Sequence, residues 1–179
     1  MITRLVLATA VIAALPMATT SRCDKLANAG AGSAGPSCQV STKARRELGL
    51  TVEQAANAAA VIRVGNDLDL PAHKRERAKV IAIATTLQES NLKAGAVGDG
   101  GRAVGVFQQH PHWGHNRTDA TASARRFYAR LLKVRRWDTR PLTEAAQAVQ
   151  RSAYPYAYAD DEARATRIVA KLTTCKGAR

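Results

Sequence analysis

The amino-acid sequence predicts a mainly α, single compact helical domain with a glycine-rich loop or small hairpin after its central helix. Three observations carry that expectation. Apolar residues recur at helical spacing almost throughout residues 38–175. The segment Val80-Ile81-Ala82-Ile83-Ala84-Thr85-Thr86-Leu87-Gln88 is apolar on more than one stripe, as a helix buried on most sides should be. Directly beyond it, Gly98, Gly100, Gly101 and Gly105 crowd a stretch that can hold only short or irregular structure.

The elements follow in order. Residues 1–20 carry one charge, Arg4, and an apolar run from Leu5 to Leu15, shorter than the ~20 residues that span a bilayer. They read as a signal peptide or an uncleaved N-terminal anchor, with Ala18-Thr19-Thr20 only loosely resembling a cleavage signal. Arg22 leaves no lipobox before Cys23. Residues 21–37 form a flexible linker of small residues, and the folded domain is expected over 38–175.

Thr51 and Gln54 have the spacing of a capping box. The helix they open is rich in alanine, reaches Val64 and stops at Gly65-Asn66. Pro71 suits the first turn of the central helix, which carries Val80, Ile81, Ala84 and Leu87 up to Glu89. A third helix is predicted over 119–134 with Phe127, Leu131 and Leu132 inward. A fourth starts at Pro141 with Ala145, Ala148 and Val149 inward, and a last one covers 160–172.

A chain of 179 residues suffices for one domain with a proper core. Its formal charge is +13, or +12 once Arg4 leaves with residues 1–20, which calls for an anionic partner or surface. Cys23, Cys38 and Cys175 suit an oxidising compartment with one bridge and one leftover thiol. A Cys38–Cys175 bridge would tie the two ends of the domain together and is favoured over Cys23–Cys38, which would close only a flexible loop.

Glu89 is the residue with the most chemical promise. It ends the buried helix and faces a glycine-rich turn holding a second carboxylate, Asp99. Desolvation raises a carboxyl pKa, so such an acid can stay protonated near neutral pH and donate to a leaving oxygen. The plainer alternative is a solvated Glu at a helix end.

Around these residues the chain resembles the lysozyme-like superfamily, in particular goose-type lysozymes, lytic transglycosylases and the lysozyme-like domains of secreted actinobacterial proteins. The resemblance rests on Glu89-Ser90, Gly98-Asp99, Gly105-Val106-Phe107-Gln108, the stretch from Thr143 to Ser152, and Ser152-Ala153-Tyr154. It covers about residues 50–172 and implies a lysozyme-like α+β fold. It also implies an exported glycosidase cutting the β-1,4 bond between N-acetylmuramic acid and N-acetylglucosamine, as a muramidase or a lytic transglycosylase. Glu89 would be the catalytic acid and Asp99 the water-positioning carboxylate. Ser90, Gly105, Phe107, Gln108, Gln109, Trp113 and Tyr154 would belong to the substrate groove, with Tyr154 placed near the acid. Pro155 replaces the usual Asn after the Ala-Tyr pair, and the second aspartate of goose-type enzymes falls on His110.

The remaining features point to no cofactor and no metal. His110, His112 and His115 make a His-x-His-x-x-His pattern without a matching His-x-x-x-Asp partner, so a polar groove loop is the expectation. Trp113 suits a sugar platform or a packing anchor. Arg126, Arg130 and Lys133 share a helix face, read as solvated or as attracting anionic cell-wall polymer. Ser90 has no base-and-orienter set for a serine nucleophile. The expected partners are peptidoglycan glycan strands and anionic wall polymers, with no nucleic acid and no stable membrane association once a signal is removed. The chain is expected to be secreted or wall-associated and monomeric. Two alternatives stay open: a catalytically weak wall-binding module, and a basic nucleic-acid-binding protein.

Overall fold

Residues 40–150 and 158–173 are described by the computed structural model, all within the unit Gly35–Arg179. The expected signal or anchor, the linker, the three cysteines and Tyr154 lie outside the described residues.

The chain order is α1 (Thr42–Glu47), α2 (Val52–Asn66), α3 (Ala72–Ser90), β1 (Val97–Gly98), β2 (Ala103–Val104), α4 (Ala120–Leu131), α5 (Leu142–Gln150) and α6 (Glu162–Leu172). The described domain is therefore mainly α. Short 3-10 turns at Asp99–Gly101 and Pro111–Trp113 punctuate the glycine-rich region. Helix α1, absent from the sequence-based expectation, is only six residues long and buries none of them. Its N-cap is Ser41, and Lys171 pairs with Glu47 to tie it to α6.

Helix α3 is the axis of the domain. Every residue from Ala78 to Leu87 is buried, and α2, α4, α5 and α6 all pack against it. Even Lys79 is inside, 3% exposed. A lysine can be buried there because its ammonium meets Asn66 Oδ1 at 2.9 Å, Thr173 Oγ1 at 3.1 Å and Glu76 at 2.9 Å. Its stem lies across Gly65, where an added Cβ would come within 2.5 Å of Lys79 Cγ and 2.7 Å of the Tyr128 hydroxyl. That close approach explains why glycine stands at this position of α2, whose last residue is Asn66.

The capping box forms as predicted. Gln54 N–H donates to Thr51 Oγ1 at 3.2 Å, and Thr51 N–H donates to Gln54 Oε1 at 2.9 Å. Two inward assignments are corrected. Leu132 is the C-cap of α4 and 39% exposed, while the buried stripe runs Ala120, Ser123, Ala124, Phe127, Tyr128 and Leu131. Ala148 lies on the Glu144 side of α5 and is exposed, while Leu142, Ala145, Ala146 and Val149 face inward. Among the described residues no helix is long and apolar enough to cross a membrane.

Candidate active site

The end of α3 is fixed by the chain that leaves it. Asn91 and Leu92 both adopt left-handed backbone, at φ 49° and 62°. Asn91 N–H donates to Leu87 O at 2.8 Å and Leu92 N–H to Thr86 O at 3.0 Å, closing the last turn. Left-handed geometry is unfavourable for a branched residue, and full burial of the Leu92 side chain offsets it. Helix α2 then grips this exit. Gln54 Nε2 donates to Asn91 O at 2.9 Å, Asn57 Nδ2 to Leu92 O at 2.8 Å, and Ala94 N–H to Glu53 Oε1 at 3.0 Å.

Glu89 sits on this anchored last turn, half-buried. The Tyr158 hydroxyl, on a residue only 1% exposed, donates to Glu89 Oε1 at 2.7 Å. Burial pushes the Glu89 carboxyl above its ordinary range. Hydrogen bonds from Tyr158 and Gln150 and the charge of His110 pull the other way without cancelling that effect. A carboxyl so placed is held towards its protonated form while keeping a donor ready for the carboxylate, which suits a group that must give up a proton and take one back.

The opposing segment is the hairpin. Strand β1 pairs antiparallel with β2, Val97 opposite Val104 and Gly98 opposite Ala103. Asp99, Gly100 and Gly101 all take positive φ in the turn between them, so the two glycines serve a real backbone need and Asp99 is held at the turn's start. Asp99 is exposed, and its Oδ2 lies 3.7 Å from His110 Nδ1. Glu89, Asp99, His110, Gln108, Gln150 and Trp113 all line one cleft of about 330 Å³.

The segment Gly105 to Gln109 divides between cleft and core. Gly105 has φ 78°, and a Cβ there would fall 2.2 Å from Arg117 O. Its role is to let two backbones meet. Gln108 reaches the cleft, held by its amide donating to Ala96 O at 3.1 Å and Gly105 O at 3.0 Å. Phe107 and Gln109 do not reach it: both are fully buried. Phe107 stacks on Phe127 with ring centroids 4.6 Å apart. Gln109 donates to Ser123 O at 3.0 Å and accepts from Arg126 Nε at 3.1 Å. Groove assignments for these two are therefore corrected to structural ones, since no side-chain atom of either is open to a ligand. Ser90 also acts structurally, its hydroxyl bridging Thr86 O at 3.1 Å and Val106 O at 2.9 Å. That bridge staples the last turn of α3 to the loop.

Trp113 is 7% exposed and carries the guanidinium carbon of Arg130 3.4 Å from its ring centroid, so its indole is chiefly a packing anchor at the cleft wall. Nor is the face of Arg126, Arg130 and Lys133 simply solvated. Arg126 is half-buried and also donates to Asn116 O at 3.2 Å; Lys133 is exposed. Arg117, a further cation, donates to Arg102 O at 2.8 Å and Gln109 O at 2.7 Å. Two arginines thus lace the loop together. Among the described residues no three His, Cys, Asp or Glu side chains gather in a way that could hold a metal ion.

Sequence reasoning placed Glu89, Asp99, Gln108 and Trp113 near one another, and His110 in a polar groove loop, but missed Tyr158 and Gln150 as neighbours of the acid. The tyrosine beside Glu89 in the described residues is Tyr158, four positions beyond the residue expected there. A larger cavity of about 560 Å³, lined by Val104, Pro111, Gly114, His115, Asn116, Arg117 and Thr118, contains no acid. The smaller cleft at Glu89 is the better candidate because it holds the desolvated carboxyl. No protein-family model matches the chain, and no curated protein is significantly similar to it.

Proposed function

We propose that the chain is an exported peptidoglycan glycosidase that cleaves the β-1,4 bond between N-acetylmuramic acid and N-acetylglucosamine, with Glu89 as general acid and base. One observation supports this most: a half-buried carboxyl, pushed towards protonation, hydrogen-bonded by a buried tyrosine in a cleft that also holds Asp99. A net charge of +13, or +12 without residues 1–20, supports attraction to the anionic polymers of a bacterial wall.

In the first step protonated Glu89 donates to the glycosidic oxygen as the bond to the leaving sugar breaks and positive charge grows on the remaining ring. Glu89, now a carboxylate stabilised by the Tyr158 hydroxyl, takes back a proton. In a muramidase that proton comes from a water adding to the anomeric carbon, leaving a reducing end. In a lytic transglycosylase it comes from the substrate's own 6-hydroxyl, which adds to the same carbon and leaves a 1,6-anhydro end. Asp99 and His110 sharing the cleft favours the water route, because they offer polar partners for a bound water.

The test is Glu89→Gln on purified wall, with mass spectrometry of the products. The amide keeps the shape and cannot deliver the proton, so the rate should fall by about 10²–10⁴-fold. Near wild-type turnover in a folded variant would remove the reading. Binding without turnover by the unaltered protein would make the chain a wall-binding module instead.

A further inference from the structure

A second cavity, of about 380 Å³, adjoins the catalytic cleft and has the opposite electrostatic character. It is lined by His112, Arg130, Lys133, Val134, Ala148 and Val149. His112 is common to both cavities, and Gln150 of the cleft is the next residue after Val149 on α5. The two spaces are therefore neighbours along one surface. No acid lines the second one; two permanent cations and an imidazole do.

Its construction favours a single anionic group. Arg130 is pre-positioned by its guanidinium over the Trp113 ring, at 3.4 Å, so part of the entropy of fixing that side chain is already lost. Lys133 lies three residues on, just past the C-cap of α4, exposed, and among the described residues its ammonium has no ion pair. Val134, Ala148 and Val149 form one apolar wall of this open cavity, so a charge–charge contact there is somewhat less screened than in free water. The outward face of Ala148, unexpected for an alanine in an inward-reading pattern, is part of this wall.

We infer that this cavity is a subsite for a carboxylate on a substituent of the glycan strand lying in the catalytic cleft, namely the peptide stem attached to N-acetylmuramic acid. The inference rests on the glycosidase reading for the identity of the strand. Because the cavities adjoin at His112, a substituent of a strand lying beside Glu89 could reach this one. The cavity itself brings two cations to one place, which matches the carboxylates of a short peptide stem.

The experiment measures binding and turnover separately. Soluble disaccharide-peptide fragments are titrated into the full chain by calorimetry, against the same fragments with their carboxyls converted to amides. The preference for free carboxylates should be about two- to five-fold at low salt and should fall by at least half in Lys133→Gln, where Arg130 keeps the remainder. Lys133→Arg, which keeps the charge, should retain it. Strands with and without peptide stems are then compared for kcat/KM, where the same ratio should appear. Equal binding of free and amidated fragments, or an unchanged ratio in Lys133→Gln, overturns the subsite even if the enzyme turns over. Competition by inorganic polyphosphate with no carboxylate preference overturns it in favour of polymer attraction. A carboxylate preference that Lys133→Gln reduces, in a protein that cleaves neither strand, sustains the subsite and defeats the glycosidase reading alone.

Discussion

Tyr158→Phe separates the two opposing influences on Glu89. The phenol is 1% exposed and 2.7 Å from Oε1, so phenylalanine fills the same space and removes that hydrogen bond. When Glu89 is protonated, the loss is of a neutral hydrogen bond, about 0.5–1.5 kcal/mol; when it is ionised, the loss is about 1.5–3 kcal/mol. The difference, about 1 kcal/mol or more, is therefore pH-dependent. Burial already raises Glu89 above its unfolded value, so the folded protein holds that proton more tightly than the unfolded chain. Glu89's contribution to stability is then complete below the unfolded carboxyl range, near pH 4, and is lost as pH rises through the folded value. The variant should deepen that loss. Urea denaturation of both proteins from about pH 4 to 8 should show a destabilisation that grows with pH, and the alkaline limb of kcat/KM should move upward. An equal destabilisation at both ends, with an unmoved limb, would refute the claim that Tyr158 stabilises the carboxylate.

Gly105→Ala should destabilise by more than the roughly 1–2 kcal/mol of left-handed strain, because its Cβ would also meet Arg117 O at 2.2 Å; denaturant midpoints check it. Asp99→Asn should lower the rate severely if water is positioned by this carboxylate, and leave rate and products unchanged if the 6-hydroxyl route operates; product mass spectrometry decides. Replacing the exposed Arg125 and Arg135 by Gln should weaken wall binding at low salt and barely alter cleavage of a short neutral oligosaccharide, with higher ionic strength mimicking the change. Salt-independent binding by the unaltered protein would reject long-range attraction.

The legible parts of the fold were those where one local rule sufficed. The capping box at Thr51, the buried run at Ala78–Leu87 and the glycine-rich turn each depend on neighbours a few residues apart. Leu132 and Ala148 misled because helical spacing marks a face without saying where the helix ends or what lies opposite. Phe107 and Gln109 adjoin the cleft residue Gln108 in sequence, yet they point into the core, since Gln108 takes φ 47° and the chain turns there. Tyr158 lies 69 positions from Glu89, and no periodicity connects them. Gln150, at the end of α5, could have been suspected only as a polar residue one position past a buried valine.

The site residues explain why so much of the surrounding sequence is spent on hydrogen bonds. A desolvated carboxyl costs stability, and it will relax towards water unless its surroundings resist. Here the resistance comes from both sides. Glu53, Gln54 and Asn57 of α2 hold the chain leaving α3, and Ser90 fastens the same turn to Val106. Arg117 and Arg126 fasten the loop that carries His110 and Trp113, through carbonyls and the buried Gln109 amide. The buried Gln109 is thus the point at which the basic helix α4 and the loop meet. Its replacement by leucine would leave the Arg126 guanidinium without that acceptor, and the loop would loosen before the helices did. Local opening of this kind, read by hydrogen exchange at residues 102–118, would disturb the cleft while leaving the α3 core closed.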